Sequence, residues 1–260
     1  MKTAYPRRQR LTGLLHALFG ARFHLFQTMI PTAVTFDVGQ TLTSLHTPLL
    51  AERLQGYGAK VELDRLEAGL PLAWSAYDEA VRKPSSTHSW KVFMATLLRE
   101  AGVEPGRLEE WVDRLQQEQR QRNLWRQPVA GMIELVDALV ERGVPVGIVS
   151  NSEGRLESLL EELGWRERFV VVADSGCLGI EKPDPRIFHW ACERMGVKPG
   201  QVVHVGDSRA ADVEGAIGAG MKAIWFRTRD EEGGVRPEVR TCTDAAELRG
   251  ALRAWGMVGG

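Results

Sequence analysis

Asp37 ends the apolar run Ala33-Val34-Thr35-Phe36 and is followed by the turn Val38-Gly39-Gln40-Thr41-Leu42. A carboxylate at the tip of a buried strand is positioned for chemistry, because open α/β sheets bind ligands outside the carboxyl ends of their strands. Other polar residues stand in the same relation to other apolar runs. Ser150 and Asn151 follow Val144 to Val149, Asp207 and Asp212 follow Val202 to Val205, and Lys182 lies between the runs around Ala173 and Pro185. Each has an ordinary explanation alone, since Ser, Asn and Asp cap helices and a loop lysine is usually solvated. Their conjunction at corresponding strand ends points to one site.

The elements that must position these residues alternate. Strand-like runs are read at residues 33–36, 144–150, 169–173, 202–205 and 223–226, and helices at 131–142, 153–163, 185–195, 210–219 and 244–255. Asp184 and Pro185 suit the cap and first position of the third helix. Alternation of this kind predicts an α/β fold, a Rossmann-like parallel sheet with helices on both faces. Residues 46–126 break the rhythm. Their apolar residues recur at helical spacing, as in Leu49, Leu50, Leu54 and Tyr57 or Trp90, Phe93, Met94, Leu97 and Leu98, and Pro71 is expected to open or bend the second helix. The expected organisation is a core of residues 29–45 and 127–260 with an inserted all-α unit, residues 46–126. Trp74, Trp90, Trp111 and Trp125 are candidates to line a pocket, although aromatic residues at this spacing are usually core.

Residues 1–28 carry Lys2, Arg7, Arg8, Arg10 and Arg22 and no acidic residue. They read as a disordered extension or a start assigned ahead of Met29; the competing reading is an amphipathic basic helix on an anionic membrane. With 33 basic and 34 acidic residues in 260, the formal charge of −1 gives no reason to expect a nucleic-acid partner. Cys177, Cys192 and Cys242 have neither disulfide nor metal-ligand spacing, which fits a cytoplasmic location. No apolar stretch reaches the roughly 20 residues of a transmembrane segment.

Four segments in this order resemble the haloacid dehalogenase (HAD) superfamily of hydrolases, in particular members with a helical cap inserted after the first strand. They are Phe36-Asp37-Val38-Gly39-Gln40-Thr41-Leu42, Ile148-Val149-Ser150-Asn151, Lys182-Pro183-Asp184-Pro185-Arg186-Ile187-Phe188 and Gly206-Asp207-Ser208-Arg209-Ala210-Ala211-Asp212. The resemblance implies a hydrolase acting on a small phosphorylated molecule with Mg²⁺ as cofactor. Asp37 is then the nucleophile that forms an aspartyl-phosphate. Asp37, Asp207 and the carbonyl of Gly39 match the metal positions, and Asp212 would hold a metal-bound water or orient Lys182. Thr41, Ser150, Asn151 and Lys182 match positions that bind the phosphoryl group, and the cap, residues 46–126, would close over the site.

Gly39 departs from this pattern. The family's phosphatases place a second aspartate there, the proton donor to the leaving group, so a poor leaving group should depart slowly. The sequence leaves three alternatives. The first is a phosphohydrolase that is slow, takes its acid from His46 or His88, or uses a good leaving group. The second is a C–X hydrolase, either of the dehalogenase kind, which needs no metal, or of the phosphonatase kind, for which Lys60, Lys83 or Lys91 would supply a Schiff base. The third is a non-catalytic homologue that binds Mg²⁺, phosphate or a partner protein. Gln40 stands where the family commonly has glycine, and its side chain either donates to a ligand or points into solvent.

Overall fold

A computed structural model of the chain describes residues 30–83, 87–119, 121–227, 236 and 239–259. The basic stretch of residues 1–28 therefore lies outside the described residues. Among these, β1 (Ala33–Phe36) is buried along its whole length and sits near the middle of a six-stranded sheet. A ribbon of β2 (Thr43–Leu45) and β3 (Trp125–Pro128) follows the first turn and pairs antiparallel. Between its two strands lie four helices, α1 (Thr47–Gly56), α2 (Leu63–Arg82), α3 (Ser89–Glu100) and α4 (Leu108–Gln119). The chain then returns through α5 (Met132–Glu141), β4 (Val146–Ser150), α6 (Leu156–Glu162), β5 (Val171–Asp174), α7 (Ser175–Leu178) and α8 (Pro185–Met195). It continues with β6 (Val202–Gly206), a π-helical turn (Arg209–Glu214), α9 (Gly215–Gly218), β7 (Lys222–Phe226), β8 (Arg240–Cys242) and α10 (Ala245–Arg253).

The strand order is β5-β4-β1-β6-β7-β8 and every pairing is parallel. Alternate side chains of a strand face opposite sides, and the core divides accordingly. Val34 and Phe36 pack with Ile148, Val203 and Val205 under α5, α6 and α10, whereas Ala33, Val149 and Val202 pack beneath α8. Burying an apolar side chain of this size contributes roughly 1.5–3 kcal/mol. The four helices bury a separate cluster that includes Leu50, Leu54, Leu66, Phe93, Leu97 and Leu115. A segment with its own core can be carried on a thin ribbon without disturbing the sheet.

Boundaries differ from the sequence expectation for local reasons. α6 starts at Leu156 rather than Glu153, because the Asp174 carboxylate accepts from the amides of Gly154 (3.1 Å) and Leu156 (3.0 Å) and holds the turn before it. α2 runs through Pro71 as one helix. β2, β3 and β8 have no counterpart in the sequence reading, since they are short and carry polar or half-exposed residues with no alternating apolar signal. Asp184 and Pro185 start α8 as expected, with the Asp184 carboxylate accepting from the Arg186 amide at 2.9 Å. Among the described residues no helix is long and apolar enough to cross a membrane.

Candidate active site

Lys182 is the hub. Its Nζ donates to Asp37 Oδ1 at 2.6 Å, Asp212 Oδ1 at 2.5 Å and the Val149 carbonyl at 2.9 Å, and the residue is 4 % exposed. β1, β6 and β4 are neighbours in the sheet, so their carboxyl ends bring Asp37, the Asp207–Asp212 turn and Ser150 together. Asn151 fixes the lysine backbone from both sides. Its Oδ1 accepts from the Lys182 amide at 2.8 Å, and its Nδ2 donates to the Lys182 carbonyl at 3.0 Å.

Asp212 reaches the lysine from the π-helical turn after β6. The Ser208 amide donates to its Oδ2 at 2.9 Å, and His204 Nε2 lies 3.1 Å from its Oδ1. Thr35 Oγ1 lies 3.0 Å from His204 Nδ1, continuing the chain of contacts under the sheet. Gly206 makes this possible, because a Cβ there would lie 2.2 Å from Asp212 Cγ. Asp78, buried on α2, accepts from Ser208 Oγ at 3.2 Å, and Trp225 Nε1 donates to the Asp207 carbonyl at 2.8 Å.

Burial raises the Asp37 carboxyl, with Lys182 opposing and the Asp212 charge adding to the rise; Ser150 also hydrogen-bonds the carboxylate. Burial opposes ionisation of Asp212 as well, but Lys182 and His204 more than offset it and hold the carboxyl below the usual range. For Lys182, burial disfavours the ammonium and the two carboxylates overcome that effect, so its pKa is raised. Burial lowers His204.

Asp37, Asp207 and Asp212 each offer an oxygen, and these atoms lie within 4.8 Å of one another. Hard oxygen donors converging in this way suit Mg²⁺, which binds through one or two carboxylates and keeps waters and a phosphate oxygen.

These groups floor a cavity of about 320 Å³, lined by Asp37, Gly39, Ser150, Asn151, Lys182, Asp207 and Asp212 from the sheet and by residues of the helical segment. Trp74, Tyr77, Trp90, Phe93 and Trp125 form an aromatic wall, with Phe93 4.2 Å from Trp74 and 5.7 Å from Trp125 between ring centroids. Trp111 does not reach the cavity and packs on Tyr57 instead. Thr41 also stands apart, since its hydroxyl is fully buried, does not line the cavity and makes no hydrogen bond to another protein group.

The sequence reading missed three features. Asp174, at the end of β5, accepts from Ser152 Oγ at 2.5 Å and orders the loop after Ser150; its position at a strand end was the available signal. Tyr77 and Asp78 enter from α2, where they resemble ordinary helix residues. Trp125 lies against Gly39, so that a Cβ at position 39 would meet Trp125 Cδ1 at 3.2 Å and Nε1 at 3.4 Å. Nothing local to either residue signals that contact. Gln40 takes the left-handed backbone, with φ of 58°, which explains why glycine suits its position.

The parallel sheet and this set of strand-end groups define a hydrolase built on the HAD fold. A profile of the haloacid dehalogenase-like hydrolases matches residues 31–220, and the chain belongs to that family. It is 32 % identical over 201 residues to mouse haloacid dehalogenase-like hydrolase domain-containing protein 3, covering 74 % of this chain and 80 % of that one. It is also 32 % identical over 176 residues to a phosphoserine phosphatase of Thermus thermophilus, covering 66 % and 67 %. Among solved structures, the magnesium-bound putative HAD-hydrolase YfnB of Bacillus subtilis superposes with a TM-score of 0.66 at 21 % identity, over 86 % of this chain and 99 % of that one. At that identity the likeness concerns the fold.

Proposed function

We propose that the protein is a Mg²⁺-dependent phosphohydrolase acting on a small phosphorylated molecule through an aspartyl-phosphate at Asp37. The observation that carries this reading is the Lys182 ammonium between Asp37 and Asp212 on the cavity floor. A carboxylate repels a phosphate ester, and Lys182 offsets that repulsion at the attacking oxygen. Catalysis of phosphoryl transfer consists mainly of such positioning and charge stabilisation. Asp37 attacks phosphorus in line, and the leaving oxygen departs with its electron pair. Water then attacks the phosphoryl group, releasing phosphate and restoring the carboxylate. Ser150 hydrogen-bonds the transferring group, and Asn151 acts by clamping the Lys182 backbone. Asp37, Asp207, Asp212 and the Gly39 carbonyl would hold Mg²⁺, which when bound supplies charge neutralisation of the phosphoryl oxygens. The segment of residues 46–126 acts as a cap that covers the cavity and excludes water, and the protein works in the cytoplasm.

A C–X hydrolase of the phosphonatase kind is disfavoured. Among Lys60, Lys83 and Lys91 none lines the cavity; Lys83 pairs with Glu79 at 3.0 Å and Lys91 with Asp113 at 2.7 Å. The test is turnover of a panel of phosphate esters with Mg²⁺ by the protein and by Asp37→Asn. Release of phosphate that disappears in Asp37→Asn is expected. Equal traces from both proteins would overturn the proposal in favour of a binding protein.

A further inference from the structure

Among the described residues, the titratable side chains that line the cavity besides Asp37, Lys182, Asp207 and Asp212 are Tyr77, His88 and Glu153, and Glu153 already accepts from Asn123 Nδ2 at 2.6 Å. His46 caps α1, its Nδ1 accepting from the Leu49 amide at 3.0 Å, and it does not line the cavity. His88 lines the cavity but its Nε2 sits 3.0 Å from Glu181, bridging α3 to the loop that carries Lys182. Tyr77 also lines it, and burial followed by the charges of Asp37 and Asp207 raises its phenol, which makes it a weaker acid. A Cβ at position 39 would lie 3.2 Å from Cδ1 of the Trp125 indole.

Trp125 belongs to a larger surface. Trp74 and Phe93 back the wall, 9 % and 1 % exposed, while Tyr77, Trp90 and Trp125 are half-buried and border the same cavity as Asp37. Trp90 and Trp125 lie 6.5 Å apart between centroids and Trp74 and Tyr77 5.6 Å. Trp74 and Phe93 belong to the same buried helical cluster as Trp111, whereas Tyr77, Trp90 and Trp125 are only partly buried against it. These rings instead face the space above the nucleophile, where aromatic contacts are worth about 0.5–1.5 kcal/mol each beyond area burial. A benzene ring fits a cavity of about 150 Å³, so 320 Å³ holds one ring with its phosphoryl group.

Leaving-group chemistry joins the two observations. A phenol ionises near pH 10, whereas an alkyl alcohol stays close to the 15.7 of water, which makes an unprotonated alkoxide much the poorer leaving group. Resting on the phosphohydrolase reading above, we propose that the substrates are phosphomonoesters of phenolic groups, with the ring held on the wall of Trp90, Trp125 and Tyr77. Asp37 forms the new P–O bond as the aryl P–O bond breaks. The phenolate leaves with the electron pair and takes its proton from water, so no side-chain acid is required.

Four substrates separate ring from leaving group: phenyl phosphate (ring, phenolate), benzyl phosphate (ring, alkoxide), acetyl phosphate (no ring, good leaving group) and glycerol phosphate (neither). With Mg²⁺, kcat for phenyl phosphate should exceed that for benzyl phosphate by about 100-fold or more, the size of the missing acid's contribution. The two ring substrates should share a KM about tenfold below that of acetyl phosphate, and Trp90→Leu should erase most of that difference. Benzyl phosphate turned over within about tenfold of phenyl phosphate would show that a proton donor is present after all. Equal KM with and without a ring would show that the wall does not bind substrate. Either result overturns the proposal and leaves the phosphohydrolase intact. No Asp37-dependent turnover of any of the four would overturn the proposal, and the panel of phosphate esters above would then decide the phosphohydrolase reading.

Discussion

Restoring the missing aspartate should fail unless the indole beside it is removed. In Gly39→Asp the new Cβ would stand 3.2 Å from Trp125 Cδ1, so the ring must give way by a few tenths of an ångström. Phe93, Trp90 and Trp74 have ring centroids 5.7–6.5 Å from that of the indole, so a shift of the ring disturbs the aromatic wall. Overpacking of this kind costs about 1–3 kcal/mol, or roughly 2–12 °C in melting temperature for a chain of this size. The new carboxyl would also join Asp37, with the Cβ already 3.9 Å from Asp37 Oδ2. The single variant should therefore lose stability and gain no turnover of benzyl phosphate. Gly39→Asp combined with Trp125→Leu has room for the acid, and should turn over benzyl phosphate about 100-fold faster than Trp125→Leu alone. Thermal melts and initial rates on the three variants decide the matter. A single Gly39→Asp variant as stable as the parent and as active as the double would refute the reasoning, because the indole would then not be in the way.

Three further outcomes follow from the site. Lys182→Met leaves Asp37 and Asp212 buried without their shared ammonium, a loss of about 3–5 kcal/mol in denaturant melts of the metal-free protein; a loss under about 1 kcal/mol would contradict the hub role. Gly206→Ala drives a Cβ to 2.2 Å from Asp212 Cγ, so it should lower the melting temperature and abolish turnover together, and an unchanged melt would be inconsistent with the packing. The His88–Glu181 bridge should respond to pH. Its hydrogen bond raises His88 above 6.5 and lowers Glu181 below 4.5. The His88 contribution is complete below pH 6.5 and fades as pH rises through the raised value, while that of Glu181 is complete above pH 4.5 and fades as pH falls through the lowered one. The stability gap between the protein and His88→Gln should thus be larger at pH 6 than at pH 8, and equal gaps would rule the bridge out as a charged contact.

The polar residues gathered at the cavity floor were legible in the sequence because each belongs to a local pattern. Asp37, Ser150 and Asp207 directly follow apolar runs, and a parallel sheet places such positions on one edge whatever the loops between them do. Alternation of strand and helix gave the layer arrangement for the same reason. The short ribbon of β2 and β3 carried no such pattern, and with it went the position of Trp125. Position in a motif did not reveal the surroundings of a side chain: the Thr41 hydroxyl is enclosed, and the Asn151 side chain bonds the lysine backbone.

By itself, then, the sequence determined the fold family, the place of Asp37 at a strand end and the absence of an acid at Gly39, since these depend on residue type and on neighbours within a few positions. Only the tertiary structure decided what fills the space of the missing acid and what borders the cavity. Trp74, Trp90, Trp111 and Trp125 look alike along the chain, yet three line the cavity that holds Asp37 and one does not. That difference arises from how four helices pack on one another, which no short stretch of sequence encodes.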